Sequence, residues 1–377
     1  MAMQPNEYPR RILLAVTGLS PQVVTETLYA LTRAREPAFV PTEVHVLTTA
    51  EGAERARLTL LSVDPGWYYR LCRDYGLAGL AFAETNIHVL TDESGAPLAD
   101  IRSDEDNERV ADALTERVRG FTADDGAALH VSIAGGRKTM GYYAGYALSL
   151  FGRAQDRLSH VLVSAPYESN PEFYYPTPYS RVIYTHPPES RPIDSRDAQV
   201  SLAEIPFVRL REELPERLLT GRASFGEVIA AANRALDAPL LRLDPRNKSL
   251  TADEQEVEAS ETEFALLLWL AEHAKREDEG VRWNTETEAR EFLDVVRRLC
   301  GGSMSTRYEA VESALESANT PDMLSGYFEP HAARLKKAFV TALGKSAAAR
   351  YAIQRSGPRG ASRYRLPLSP SQIEIES

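Results

Sequence analysis

Five short runs over the first 163 residues read as strands: Arg11–Val16, Glu43–Leu47, Asn86–Leu90, Ala128–Ile133 and Ser159–Val163. The first, RILLAV, is apolar at consecutive positions, as in strands covered on both faces. Between them lie stretches of helical periodicity at Val23–Leu31, Gly52–Leu61, Asn107–Phe121 and Met140–Phe151. Strand and helix in alternation predict the α/β class: a Rossmann-like, doubly wound parallel sheet with helices on both sides. In such sheets a ligand sits beyond the carboxyl ends of the strands, where the strand order reverses.

The alternation stops near residue 165. Residues 166–200 are rich in Pro, Tyr and Ser and read as an irregular excursion, and Ser201–Leu236 reads as helical. A new pattern starts near Leu241, with two short strand-like pieces followed by helices at Glu261–Lys275, Glu286–Leu299, Ser305–Ala318 and Pro330–Leu343. Ala349–Leu368 reads as two strands around Ser-Gly-Pro-Arg-Gly, a hairpin signal. The expected organisation is an α/β domain over 1–190, a helical linker over 191–240 and a mostly helical domain over 241–377.

Composition narrows the function. The net charge of −11 confines any nucleic-acid surface to a local basic patch. Two cysteines among 377 residues argue against a disulfide scaffold and fit a reducing, cytoplasmic setting. No apolar run approaches the roughly 18 residues that span a bilayer. The seven histidines are scattered without HExxH or paired Cys/His spacing, so neither a metal site nor a cofactor is expected. Neither GxxxxGK[ST] nor GxGxxG occurs, which disfavours ATP and NAD.

Two loops follow strands and precede helices. The first is Thr17-Gly18-Leu19-Ser20-Pro21-Gln22, with Thr25 and Glu26 one turn into the helix. Its helix N-terminus offers free N–H groups and a positive dipole end, a ready anion site; Ser20 also reads as a helix cap with Pro21 at the first position. The second runs Ser132-Ile133-Ala134-Gly135-Gly136-Arg137-Lys138-Thr139. Its glycines let a backbone approach a ligand. Arg137 and Lys138 place two cations at a helix start, against the dipole, an arrangement that a bound phosphate would reconcile. A third stretch, Thr91-Asp92-Glu93 through Asp100–Asn107, reads as a solvated loop with a helix cap, or as a flap over a ligand.

The segments VTGLSPQVVTETLYAL, IRSDEDNERVAD and HVSIAGGRKTMGYYAGYAL together resemble CARF domains of the CRISPR-associated ring nuclease group, over roughly residues 10–180. The resemblance implies a homodimer whose two subunits form one pocket for a cyclic oligoadenylate, with cyclic tetra-adenylate the expected ring. It implies a pocket lined by Thr17, Gly18, Leu19, Ser20, Pro21 and Gln22 and by Ser132, Gly135, Gly136, Arg137, Lys138 and Thr139. It further implies that Lys138, Ser20 and Arg137 support metal-independent cleavage of the ring by a ribose 2′-OH, which ends an antiviral signal. No histidine adjoins either loop in sequence. The alternative is a ligand-gated regulator that senses the ring without cutting it.

The second half carries no Arg-x4–6-His pair of a HEPN ribonuclease. ETEFALLLWLAEHA, HAARLKKAFVTALG and YAIQRSGPRGASRYRLPL resemble the first helix, recognition helix and wing hairpin of OmpR/PhoB-type winged helices, though Arg276–Ser325 is longer than usual. From His331 to Gln372 there are nine Lys or Arg and no Asp or Glu, which leaves −20 on the rest of the chain. That is the local footprint of a phosphate-contacting surface, with Arg334, Lys337, Arg355 and Arg359 as the candidate DNA contacts. A patch for protein contacts is the other reading.

Overall fold

The computed structural model describes residues 3–234, 238–302, 305–318, 320–358 and 361–376. The chain divides into two compact units, Met1–Arg211 with Arg222–Phe225, and Glu212–Gly221 with Gly226–Ser377.

In the first unit the strands are β1 (Arg10–Val16), β2 (Glu43–Thr48), β3 (Ile87–Val89), β4 (Ala127–Ser132), β5 (Arg157–Val163), β6 (Val182–Tyr184), β7 (Pro192–Asp194) and β8 (Val200–Glu204). The helices are α1 (Gln22–Arg33), α2 (Ala50–Ala56), α3 (Trp67–Tyr75), α4 (Asp104–Thr122) and α5 (Lys138–Phe151), and a π-helical turn at Arg57–Leu61 extends α2. The central sheet runs β3-β2-β1-β4-β5-β8, parallel except for β8. The order 3-2-1-4-5 reverses between β1 and β4, which is the switch point of doubly wound sheets. Ile12–Val16 are at most 1% exposed, because helices cover both faces. Leu13, Ala15, Val44 and Val46 pack against Val24, Leu28 and Leu31 of α1 and Trp67 and Leu71 of α3. On the opposite side α4 and α5 pack against each other.

A buried ion pair fastens the turn that joins α5 to β5. The Asp156 side chain is fully buried and accepts from Leu129 N (2.9 Å), Arg153 N (2.7 Å) and Arg153 Nε (2.9 Å). Arg153 also donates to the carbonyls of Ala127 (3.0 Å) and Asp124. With Arg153 Nη2 donating to Asp156 Oδ1 at 3.0 Å, each carboxylate oxygen accepts two hydrogen bonds, the condition under which a buried charge is tolerated.

Three expectations are corrected. Val200–Glu204 is not helical: it pairs antiparallel with β5, Ser159 opposite Glu204 and Val163 opposite Val200. The open edge of β5 offers backbone groups that a strand satisfies and an isolated amphipathic turn cannot, so the 191–240 segment holds two strands besides α6 (Glu216–Thr220) and α7 (Phe225–Arg234). Helix α3 was not anticipated, because its aromatic face has no clean apolar period. In the second unit α11 starts at Pro321, not Pro330, with Thr320 accepting from Met323 N as its cap. Pro330 lies in the helix interior, where it removes one backbone donor.

The second unit has β9 (Leu241–Asp244), β10 (Ser249–Ala252), β11 (Gln255–Glu256), a hairpin of β12 (Gln354–Ser356) and β13 (Arg363–Arg365), and β14 (Ile373–Ile375), which pairs parallel with β9. Its helices are α8 (Glu261–Lys275), α9 (Glu286–Leu299), α10 (Thr306–Ser317), α11 (Pro321–Leu343) and α12 (Lys345–Ala349). Ser260 and Glu263 form a capping box at the start of α8. Trp269, Phe292, Phe328 and Phe339 centre the core. Among the described residues no helix is long and apolar enough to cross a membrane.

The buried pair yields a stability prediction. Asp156→Ala strands the Arg153 charge and the Leu129 amide, and should destabilise the first unit by about 3–5 kcal/mol. Denaturant unfolding of the full chain measures this, and a loss below about 1 kcal/mol would contradict the assigned role.

Candidate functional site

Both glycine loops open on one cavity of about 590 Å³ at the carboxyl ends of β1, β4 and β5. They meet backbone to backbone. A methyl group on Gly18 would lie 3.2 Å from Gly136 Cα, and one on Gly135 would lie 3.2 Å from Val16 O and 3.3 Å from Thr17 Cα. Gly136 has φ +84°, a left-handed conformation that favours glycine. Gly52 of α2 completes the contact: a methyl there would sit 2.0 Å from Thr48 Oγ1 and 2.6 Å from Gly18 O. Among the described residues the amides of Gly18, Leu19, Ser20, Gly135 and Gly136 donate to no backbone or side-chain acceptor. With the Lys138 and Thr139 amides at the start of α5, they leave a row of donors without an acceptor among the described residues at the switch point.

The sequence-derived residues divide into those the cavity brings together and those it does not. Gly18, Leu19, Ser20, Gln22, Gly135, Gly136 and Arg137 line it. Thr17 and Pro21 are buried beneath the first loop. Ser132 is buried and shares a hydrogen bond with Thr27 (Oγ–Oγ1, 3.1 Å), which ties β4 to α1. Lys138 and Thr139 are exposed at the start of α5 and are not part of the lining. Ser20 does not cap α1: Pro21 holds that position without a side-chain bond, and the exposed Ser20 hydroxyl is left toward the cavity.

The two cations at the start of α5 behave differently. The Arg137 guanidinium forms a two-point pair with Asp100, Nε to Oδ1 at 3.1 Å and Nη2 to Oδ2. This pairing, with the Ile101 amide, holds the Asp100 carboxyl down at about 2. Arg137 therefore already has a carboxylate partner, and Lys138 is left without an ion pair among the described residues. The stretch after Asp100 is mainly a helix cap, with Ser103 Oγ accepting from Asp106 N at 3.0 Å, but Ala99 and Asp100 also wall the cavity.

Four carboxylates, Glu26, Glu51, Asp100 and Glu168, line the cavity against Arg137 and His160. Sequence reasoning placed no histidine near the loops. His160 arrives because β5 lies beside β4 in the sheet, a neighbour relation that sequence distance hides. Glu168, Ser169 and Asn170 come from the segment after β5, whose irregular composition gave no positional signal. Glu26 was visible as a charge on an otherwise buried helix face beside Val24 and Leu28. Among the described residues no group of three or more His, Cys, Asp or Glu is arranged to hold a metal.

The family described as CRISPR-associated protein NE0113 has a model that matches residues 20–236, which includes Ser20, the second loop and the antiparallel edge strand. The chain belongs to this family. No curated protein matches the chain. The NE0113 match ends before β9, so the sheet and helices that follow lie outside the part that carries the family relation.

The glycine contact can be tested directly. Gly52→Ala places its methyl on Thr48 Oγ1 and the Gly18 carbonyl and should lower the melting temperature of the protein. Gly120→Ala, in α4 with no atom within 4 Å of the added methyl, should stabilise by about 0.5–1 kcal/mol. Equal effects of the two substitutions in calorimetry would show that loop contact does not constrain the site.

Proposed function

We propose that the α/β unit binds a cyclic oligoadenylate, with cyclic tetra-adenylate the favoured ring, and cleaves it without a metal to end CRISPR-associated antiviral signalling. The reading is carried by the meeting of two glycine loops whose free amides face one cavity beside the unpaired cation Lys138. Membership of a CRISPR-associated family supports the setting, and the CARF resemblance supplies the ligand. A homodimer, cytoplasmic like the chain, would join two such cavities around one ring.

Cleavage follows from positioning. The ribose 2′-oxygen attacks the adjacent phosphorus; the 2′-O–P bond forms, the P–O5′ bond breaks, and the proton lost by the 2′-OH ends on O5′. The products are linear, with a 2′,3′-cyclic phosphate and a 5′-OH. Free amides of Gly135 and Gly136 and the Lys138 ammonium would offset charge growing on the phosphate. Ser20 would orient the reacting group by hydrogen bonding. Arg137, paired with Asp100, would shape the loop and reach a phosphate only by exchanging partners.

Incubation with cyclic tetra- and hexa-adenylate, with products read by mass, tests the reading. Turnover should survive EDTA. Lys138→Ala should slow it by roughly 10²–10³-fold, the usual effect of losing one preorganised donor, with a smaller loss of affinity. Intact rings after long incubation would leave sensing without cleavage.

A second reading, a ring-gated DNA-binding regulator, is favoured by the cations of the second unit. Lys337 on α11 and Arg355 on β12 are exposed, and Arg355 Nε donates to Ser362 Oγ at 2.8 Å. Arg334 reaches Glu263 Oε1 at 3.4 Å while much of its side chain stays exposed. Arg359 lies outside the described residues. The helix α11 and the β12–β13 hairpin would be the recognition helix and wing of a winged helix. DNA affinity should then fall with salt by a log–log slope of roughly −0.9 per phosphate contacted, and Lys337→Ala with Arg355→Ala should flatten that slope. Absence of DNA binding at low salt would turn the basic surface into a protein-docking face.

A further inference from the structure

Glu26 is a carboxyl group that the fold buries without a partner. It is 8% exposed, it lines the cavity, and it makes no hydrogen bond or ion pair to any described residue. Its neighbours on α1, Val24, Thr25, Thr27 and Leu28, are buried in the unit. One turn earlier on the same helix face Gln22 also lines the cavity; its Nε2 donates to Pro171 O at 3.4 Å, and its Oε1 is buried with no acceptor duty filled. Two adjacent turns of one helix thus aim unsatisfied polar groups into the same space. Native structures rarely leave a buried polar atom such as Gln22 Oε1 unpaired, since each costs about 1–3 kcal/mol, and the Glu26 carboxyl one turn on is buried without a partner, so the two together point to a ligand that completes them.

The chemistry of that ligand follows from the state of the acid. Desolvation, with the Glu168 carboxylate across the cavity as a further cause, pushes the Glu26 carboxyl up to about 8. The remaining charged or titratable groups around the cavity are Glu51 from α2, Asp100 and Arg137 paired with each other, and His160 from β5. None of them forms an ion pair with Glu26 that would favour the ionised form. At neutral pH Glu26 therefore presents one O–H donor and one C=O acceptor side by side. Adenine carries the complementary pair on either of two edges: the N6 amine donates, and N1 or N7 accepts. An ionised carboxylate has no proton to give and cannot make the second bond.

We propose that Glu26, as the neutral acid, holds an adenine base of the ligand by a two-point hydrogen bond, donating to a ring nitrogen and accepting from the N6 amine. Gln22 Oε1, one turn away, takes the second amine hydrogen. Glu26 is a specificity residue in this assignment and takes no part in bond breaking. The inference rests on the proposed ligand and names the group that recognises its base.

Glutamine is the decisive substitution, because it is isosteric, keeps a donor and an acceptor side by side, and never ionises. Binding of cyclic tetra-adenylate to the full-length protein is measured by calorimetry from pH 6 to pH 9. For the wild type, affinity should be flat below about pH 7 and fall roughly tenfold per pH unit above about 8. Glu26→Gln should bind as tightly as the wild type at pH 6.5 and lose the alkaline decline. Glu26→Leu, which fills the site with an apolar side chain, should bind at least tenfold more weakly than the wild type below about pH 7 and show no alkaline decline, while melting no lower than the wild type. Wild-type affinity independent of pH, or unchanged binding by Glu26→Leu, would overturn this inference and leave the proposed function standing. Absence of cyclic tetra-adenylate binding by the wild type at every pH would overturn the proposed function and the inference together.

Discussion

Gly18 and Gly136 approach so closely that a single methyl group between them would force the loops apart, and Gly52 presses on the same point from α2. The site depends on this contact. Parallel strands bring the ends of β1 and β4 side by side at about 4.8 Å, but ordinary side chains would splay the loops that follow. With glycine on both sides, the backbones themselves form the floor of the cavity, and their amides have no acceptor among the described residues. The same contact explains why Thr17 and Ser132, which sit at the strand ends, are buried supports rather than lining groups.

Electrostatics refine the picture that the sequence motifs suggest. Two consecutive cations before a helix look like a matched phosphate clamp, yet the fold gives Arg137 a carboxylate partner, whereas Lys138 has no ion pair among the described residues. The cavity as a whole carries more acid than base. Anything that enters meets carboxylates on one part of the lining and backbone amides on another, an uneven surface poorly suited to a bare anion.

Much of the sheet was legible because its strands are short apolar runs bounded by turn residues, and the periods of α8 and α9 predicted both helices to the residue. What escaped were features decided by tertiary context. The VSLAE of β8 is too short and too polar to announce a strand, and only the open edge of β5 makes it one. The Asp156–Arg153 pair looks like any surface dipeptide spacing until Leu129 and Ala127 close around it. At the site, the loops that contribute backbone were visible through Gly and Pro, whereas His160 and Glu168 were not, since nothing local marks a residue that faces a cavity built by its neighbours.

The antiparallel direction of β8 has a topological effect on the molecule. A chain leaving β5 at the carboxyl edge and entering β8 at that same edge never crosses the sheet, so all of residues 164–199 is anchored at both ends beside the cavity. The excursion is also pinned between those ends: Phe173, Tyr174, Tyr175 and Ile183 are buried in the core of the unit, and the Tyr175 hydroxyl donates to Asp74 Oδ2 at 2.9 Å. Changes confined to its exposed turn at Glu168 and Ser169 would alter the wall of the cavity without shifting a register in the sheet. The cavity can thus be reshaped at this wall while the glycine floor stays as it is.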